Sequence, residues 1–128
     1  MAPGDLFVAL QGERFDGHDF LQAVAGAGAV AAVVSRDVDS PLALLQVADT
    51  QRALGQLGAF NRSLCSAPLI AITGSAGKTT AKNLIAAVLS RRGPVLATQG
   101  NLNNEIGVPL TLLQLAPEHV FAVIEMGA

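Results

Sequence analysis

The run Ile70-Ala71-Ile72-Thr73-Gly74-Ser75-Ala76-Gly77-Lys78-Thr79-Thr80 constrains the fold more than any other part of the chain. A short apolar segment ends in a turn bracketed by glycines. The turn closes on Gly-Lys-Thr, and a helical pattern starts at once. That order is what a phosphate-binding loop between a strand and a helix requires. Gly74 and Gly77 lack a Cβ and so permit a tight turn and a close backbone approach. The amides of residues 75–79 can then point at phosphate oxygens, and the new helix adds its unpaired N–H groups. The candidate nucleotide-binding residues here are Gly74, Ser75, Ala76, Gly77, Lys78, Thr79 and Thr80. Lys78 is the candidate catalytic residue, placed to reach the terminal phosphates, and the Thr79 hydroxyl is a candidate magnesium ligand.

The loop is G-x-x-G-K-T and not the longer G-x-x-x-x-G-K-[ST], because Ile72 stands where the first glycine of that form would be. A bare G-x-x-G-K-T also serves as an ordinary turn with a solvated lysine. The flanks favour the phosphate reading. Residues 69–73 read as a buried strand, and Ala81, Leu84, Ile85, Val88 and Leu89 recur on one helix face.

The same alternation runs through the whole chain. Residues 6–10, 31–34 and 44–47 read as strands. A helix with Phe20, Leu21, Val24 and Ala25 inward follows Asp16 or Asp19 as cap. A second helix opens at Asp49-Thr50, with Thr50 as cap and Ala53, Leu57, Phe60 and Leu64 on one side. Ala67-Pro68 breaks the pattern, which sets a domain boundary there: residues 1–66 and 67–128. In the second part a helix over 77–90 ends at Arg91, Arg92 and Gly93-Pro94. A strand follows over 95–98, then a polar loop, a short helix entered through Pro109, and an apolar strand over 120–124. The fold class is therefore α/β with parallel sheets. Three parallel strands make little shelter for a core, so the second domain reads as truncated and the chain as a piece of a longer one, its start also cut.

The chain has 128 residues, is 51% hydrophobic and 14% charged, and carries a formal charge of −2. This is a folded composition with no electrostatic case for binding nucleic acid or anionic membrane. The longest uncharged stretch, 21–35, is too short to span a bilayer and is broken by Gly26 and Gly28. Cys65 is the only cysteine, so no intrachain disulfide forms, and a cytoplasmic setting is expected. His18, at a loop–helix junction, and His119, in a turn expected to face solvent, are read as structural. Two isolated histidines and one cysteine make no zinc site.

Glu125 is the carboxylate of most interest. It follows the apolar strand 120–124, expected to run parallel to the strand feeding the glycine loop, and ligands in such sheets sit beyond the carboxyl ends. Lys78, Thr79 and Glu125 are expected to converge there, with Thr79 and Glu125 as magnesium ligands. The loop from Thr98 to Glu105 holds Asn101, Asn103 and Asn104 at the same end. Asn103 and Asn104 either meet a ligand or close turns. Glu105 either binds substrate or metal or starts a helix.

Three stretches together resemble the bacterial Mur ligases. These are Gly4-Asp5-Leu6-Phe7-Val8-Ala9-Leu10-Gln11-Gly12-Glu13-Arg14-Phe15-Asp16-Gly17-His18-Asp19-Phe20, the glycine loop 72–80, and residues 97–111 with Val123-Ile124-Glu125-Met126-Gly127-Ala128. The glycine loop is shared across that family and with folylpolyglutamate synthase. The asparagine loop and the ending are more selective, and are most like the family member that adds D-alanyl-D-alanine.

The resemblance implies a small N-terminal Mur ligase substrate domain followed by the beginning of a P-loop ATPase domain. It implies an ATP- and Mg2+-dependent amide-bond ligase of cell-wall synthesis, acting as a monomer. Its substrates would be UDP-N-acetylmuramoyl-tripeptide, activated as an acyl phosphate, and D-Ala-D-Ala. The first domain would hold the UDP portion, and Asn103 and Asn104 would lie near the nucleotide or the peptide end. Some family features are missing: an opening Asp-Ser-Arg stretch, a modified lysine that helps hold magnesium, and a third domain. Ala76 stands where relatives often carry asparagine or serine. The piece alone is thus expected to lack the complete reaction. Another ligase of the same fold, an unrelated P-loop ATPase or kinase, and a non-catalytic nucleotide-binding module are the competing readings.

Overall fold

The computed structural model describes residues 1–127. The chain divides into two compact units, Met1–Ala53 and Leu54 onward. In the first, β1 (Leu6–Val8), β2 (Ala31–Val34) and β3 (Ala43–Gln46) form a parallel sheet in the order β1-β2-β3, with Leu6 paired to Ala31 and Ala31 to Ala43. A 3-10 turn (Gly17–Phe20) leads into α1 (Leu21–Gly26). Alternation in β2 sends Ala32 and Val34 to one face, where they meet Ala9, Leu21, Ala29 and Leu42 in the core. Phe20, expected to point inward with Leu21, is half exposed, because the tight turn it ends rotates it off the buried stripe.

The carboxyl end of this first sheet is organised around Asp16. Its Oδ1 accepts the backbone N–H of His18 at 2.9 Å, so Asp16 is the cap. The same oxygen lies 2.6 Å from His18 Nδ1, and Arg36 Nη1 donates to Oδ2 at 2.6 Å. The backbone N–H of Ser35 can only donate, and it reaches His18 Nε2 at 3.0 Å. The buried ring therefore accepts at Nε2 and carries its proton at Nδ1, towards Asp16. His18 thus has the structural role expected of it. The backbone N–H of His18 first, then its ring, then Arg36 hold the Asp16 carboxyl well below the usual carboxylate range.

In the second unit β4 (Leu69–Ile72), β5 (Val95–Ala97) and β6 (Phe121–Glu125) form a parallel sheet in the order β4-β6-β5. Leu69 pairs with Ala122, and Val95 with Phe121. The last strand is thus the central one, and both its neighbours end at the same edge. Ala122 and Ile124 face one side, packed with Leu96 and Leu115 and flanked by Val108 and Leu112 of α4 (Gly107–Leu112). Val123 and Glu125 face the other side, covered by α3 (Lys78–Leu89).

The helix α2 (Thr50–Ser63) starts in the first unit and continues in the second. The packing division therefore falls earlier in the chain than the expected boundary after residue 66. The physical reason lies within the second unit. Asn61 Nδ2 donates to Leu112 O at 2.8 Å and to Leu115 O at 3.0 Å, satisfying carbonyls at the end of α4. Two expectations for α2 are corrected. Asp49, not Thr50, is the cap: its Oδ1 accepts from Gln51 N and Arg52 N. Phe60 and Leu64, expected inward, are exposed, while Leu54 and Gly58 are buried, because the side that carries Asn61 is the one turned to the α4 carbonyls. Among the described residues no helix is long and apolar enough to cross a membrane.

Asn61→Ala should destabilise the protein by about 1–3 kcal/mol in urea unfolding, because it removes two hydrogen bonds and leaves Leu112 O to the Leu115 N–H and Leu115 O to the weak thiol donor of Cys65. Asp16→Asn keeps the capping oxygen but removes the charge. The folded carboxyl is depressed, so its contribution is fully present above the ordinary carboxyl value and lost as pH falls through and below it. The variant should melt below wild type at neutral pH, and the two melting temperatures should converge as the pH is taken below about 4.

Candidate nucleotide and metal site

The carboxyl edge of the β4-β6-β5 sheet brings three loops together. From β4 comes the turn to α3, in which Gly74 (φ 142°) and Gly77 (φ 79°) adopt backbone conformations that a side chain would strain. A Cβ built at either would meet nothing within 4 Å, so the loop stands open above its glycines. Lys78 Nζ folds back and donates to Gly74 O at 2.6 Å, latching the loop to itself. Ser75, Ala76, Gly77, Thr79 and Thr80 are exposed, and Gly74 and Lys78 are half-buried.

From β6 comes Glu125, 3% exposed despite its charge. Thr79 Oγ1 lies 3.2 and 3.3 Å from its two carboxylate oxygens, and Asn103 Nδ2 donates to Oε1 at 3.3 Å. The expected meeting of Thr79 and Glu125 across the sheet edge is therefore present, and Asn103 joins it. Lys78 is on the same loop, but its amine is engaged with Gly74 and not with Glu125.

From β5 comes the asparagine loop, held close to the end of β6. Asn103 O accepts from Gly127 N at 2.6 Å. Gly107 has no room for a side chain: a Cβ there would stand 2.5 Å from Leu102 backbone atoms. The two asparagines part company. Asn103 faces the carboxylate, whereas Asn104 Oδ1 accepts from Ile106 N at 3.2 Å and Gly107 N at 2.7 Å, closing the turn into α4. Both line an open cleft of about 660 Å³ with Glu105, Val108, Pro109, Met126 and Gly127. His119, expected to face solvent, is half-buried, and its Nδ1 accepts from Ala116 N at 3.0 Å. That bond closes the turn after α4.

Two residues of this site escaped the sequence reading. Lys82 is 4% exposed; its Nζ donates to Thr98 O at 2.7 Å and lies 3.7 Å from Glu125 Oε2. Thr98 Oγ1 accepts the backbone N–H of Glu125 at 2.8 Å. The apolar stripe expected on α3 is corrected with them. Leu84 and Val88 are exposed, and the inward side carries Lys82, Ile85 and Leu89. A signal was available: Lys82 lies one helical turn after Lys78, so a helix that turns one towards the site turns both.

The donor set suits a hard divalent cation. A carboxylate and a hydroxyl within 3.3 Å are oxygen ligands, of which magnesium asks few from protein when phosphate oxygens and water supply the rest. Among the described residues no cluster of three or more His, Cys, Asp or Glu side chains offers an all-protein cage. The open glycine loop beside it suits a phosphate chain.

An open glycine loop beside a hydroxyl–carboxylate pair stands on the edge of the β4-β6-β5 sheet, and residues 72–128, which hold all of it, match the Mur ligase middle domain family. Over its whole length the chain is similar to the N-terminal part of Mur ligases, most like the D-alanyl-D-alanine-adding type, MurF. It is 54% identical over 128 residues to the UDP-N-acetylmuramoyl-tripeptide–D-alanyl-D-alanine ligase of Escherichia coli (strain K12), covering 100% of this chain and 28% of that protein. The ligase of the same name from Synechocystis sp. is 50% identical over 130 residues, covering 99% and 29%. A crystal structure of MurF from Acinetobacter baumannii superposes with a TM-score of 0.95 at 52% identity, over 99% of this chain and 28% of that one. MurF ligase from Thermotoga maritima, solved in complex with ADP, gives 0.90 at 35% identity, over 99% and 30%. The chain thus spans less than a third of the length of these relatives.

Asn104→Ala should lower stability by about 1 kcal/mol in thermal unfolding, the usual cost of losing a helix-entry cap, and Asn104→Asp should retain most of it.

Proposed function

We propose that the protein carrying this sequence is an ATP-dependent amide-bond ligase that adds D-alanyl-D-alanine to UDP-N-acetylmuramoyl-tripeptide during peptidoglycan precursor synthesis. The observation that carries the reading is the meeting of Thr79 and Asn103 on the buried Glu125 carboxylate, beside an open glycine loop. The likeness to ligases of that name over the whole chain supports the substrate assignment.

In this reading Gly74, Ser75, Ala76, Gly77, Lys78, Thr79 and Thr80 cradle the ATP phosphates through their amides, and Thr79 and Glu125 hold Mg2+. When bound, ATP and its Mg2+ supply a phosphoryl group, with its charge neutralised, to activate the tripeptide carboxylate. Lys78 provides the matching cation. Its amine now donates to a neutral carbonyl, and a phosphate oxygen is the stronger acceptor, so the latch on Gly74 gives way to the ligand. Asn103 stays at the carboxylate, and Asn104 shapes the cleft beside it. In the first unit a polar cleft of about 280 Å³, lined by residues including Gln11, Ser35 and Thr50, lies at the carboxyl edge of the β1-β2-β3 sheet and is the candidate seat of the UDP part. The domains at work would be residues 1–66 for the UDP-linked substrate and 67–128 for the start of the ATP-binding domain.

The test is formation of UDP-muramoyl-pentapeptide from UDP-muramoyl-tripeptide, D-Ala-D-Ala and ATP by the full-length protein. Lys78→Ala should reduce turnover about 10²-fold or more, and the 128-residue piece should give no product. A folded full-length protein that makes no pentapeptide would sink the D-Ala-D-Ala assignment.

A further inference from the structure

We infer that Lys82 is the positioning residue of the magnesium site, holding the Glu125 carboxylate and the root of the asparagine loop in one fixed arrangement. The inference rests on the magnesium role proposed above for Thr79 and Glu125.

Glu125 sits at the end of the central strand with its side chain 4% exposed. A buried carboxylate of this kind needs a counter-charge and hydrogen bonds. Thr79 and Asn103 supply neutral donors. Among the described residues the one cation within 4 Å is Lys82, at 3.7 Å from Oε2. Its amine does not spend its short bond on the carboxylate. That bond, at 2.7 Å, goes to Thr98 O. Thr98 in turn accepts the Glu125 N–H through its hydroxyl, at 2.8 Å.

Three elements are therefore tied in a closed ring: α3 through Lys82, the end of β5 through Thr98, and β6 through Glu125. The ring lies behind the carboxylate. Oε1 is left to Asn103, Thr79 reaches both oxygens, and Lys82 approaches Oε2. Thr98 also opens the loop that carries Asn103, so the lysine bond to Thr98 O fixes both partners of the carboxylate at once. Such groups behind a ligating carboxylate set its orientation, and their loss weakens metal binding about 10–100-fold.

The experiment titrates MgCl2 into full-length protein, with and without ADP, and follows nucleotide binding by calorimetry. It compares wild type, Lys82→Met, Glu125→Gln and the double variant. Methionine keeps the length and apolar stem but removes the charge and the donor. Lys82→Met should raise the Mg2+ concentration for half-saturation at least about tenfold while leaving metal-free ADP binding at the wild-type level. In the Glu125→Gln background the same change should have no further effect on the Mg2+ dependence. Unchanged or tighter Mg2+ binding by Lys82→Met would overturn the inference, as would a separate effect in the Glu125→Gln background. If Lys82→Met does not fold, the double variant decides. Recovery of a cooperative thermal transition supports the pairing, because both buried charges are then gone, and failure to recover overturns it. Wild type whose ADP binding ignores Mg2+ would overturn the inference together with the metal role assigned to Thr79 and Glu125; wild type that responds, beside an unchanged Lys82→Met, would sink the inference alone.

Discussion

A charged carboxylate buried at the end of a central strand is the constraint on which the second unit turns. Glu125 occupies a position where an apolar residue would pack more cheaply, since β6 is otherwise Phe-Ala-Val-Ile. Its burial is possible because the strand order β4-β6-β5 flanks it with two loop roots at the same edge. One root delivers Thr79 and the other delivers Asn103 and Thr98. A strand at the sheet margin would have one such neighbour, and its carboxylate would turn to water. No buried side-chain polar atom among the described residues lacks a partner, so the cost of burying the charge is met by the bonds around it.

The loops that meet this carboxylate are set by steric limits. Gly74 and Gly77 hold conformations with positive φ, which let the chain leave β4 and enter α3 without a longer connection. Gly107 packs directly on the Leu102 backbone, which draws the asparagine loop in against the strand ends. With the loop drawn in, Asn103 O reaches Gly127 N and Asn103 Nδ2 reaches Glu125. The neighbouring Asn104 is then committed to the turn. Two adjacent asparagines of identical chemistry thus divide into one that faces the site and one that builds the loop.

Most of the fold was legible because its signals were local. All six strands lie within or beside the apolar runs read from sequence, and the parallel arrangement follows from strands separated by helical patterns. The pairing of Thr79 with Glu125 was also legible, from the rule that ligands gather beyond the carboxyl ends of parallel strands. What escaped were the helix rotations. In α3, hydrophobic residues occur on more than one side, so periodicity alone selected Leu84 and Val88, which are exposed. In α2 the same ambiguity selected Phe60 and Leu64. The rotation of each helix is fixed by a polar contact, Lys82 to Thr98 O in one and Asn61 to the α4 carbonyls in the other. Polar residues do not count towards an apolar stripe, which is why a hydrophobic template misses them.

Lys82 draws these points together. A lysine four residues after the loop lysine looks like a solvated helix charge, because lysine is almost never fully buried without a partner. Here partners exist, but only after the sheet has closed with β6 in the middle, which brings Thr98 and Glu125 side by side. The partners come from positions 98 and 125, so the reason for burying the lysine is non-local, although its direction was given by the helix period. Lys78 and Lys82 share one stripe of α3 and divide the work of a single charge-handling face. The outer one is latched to the loop at Gly74, and the inner one is buried beneath the carboxylate. The inner amine is bound to a backbone carbonyl on a neighbouring strand end, so its place does not depend on the latch that the outer amine makes to its own loop.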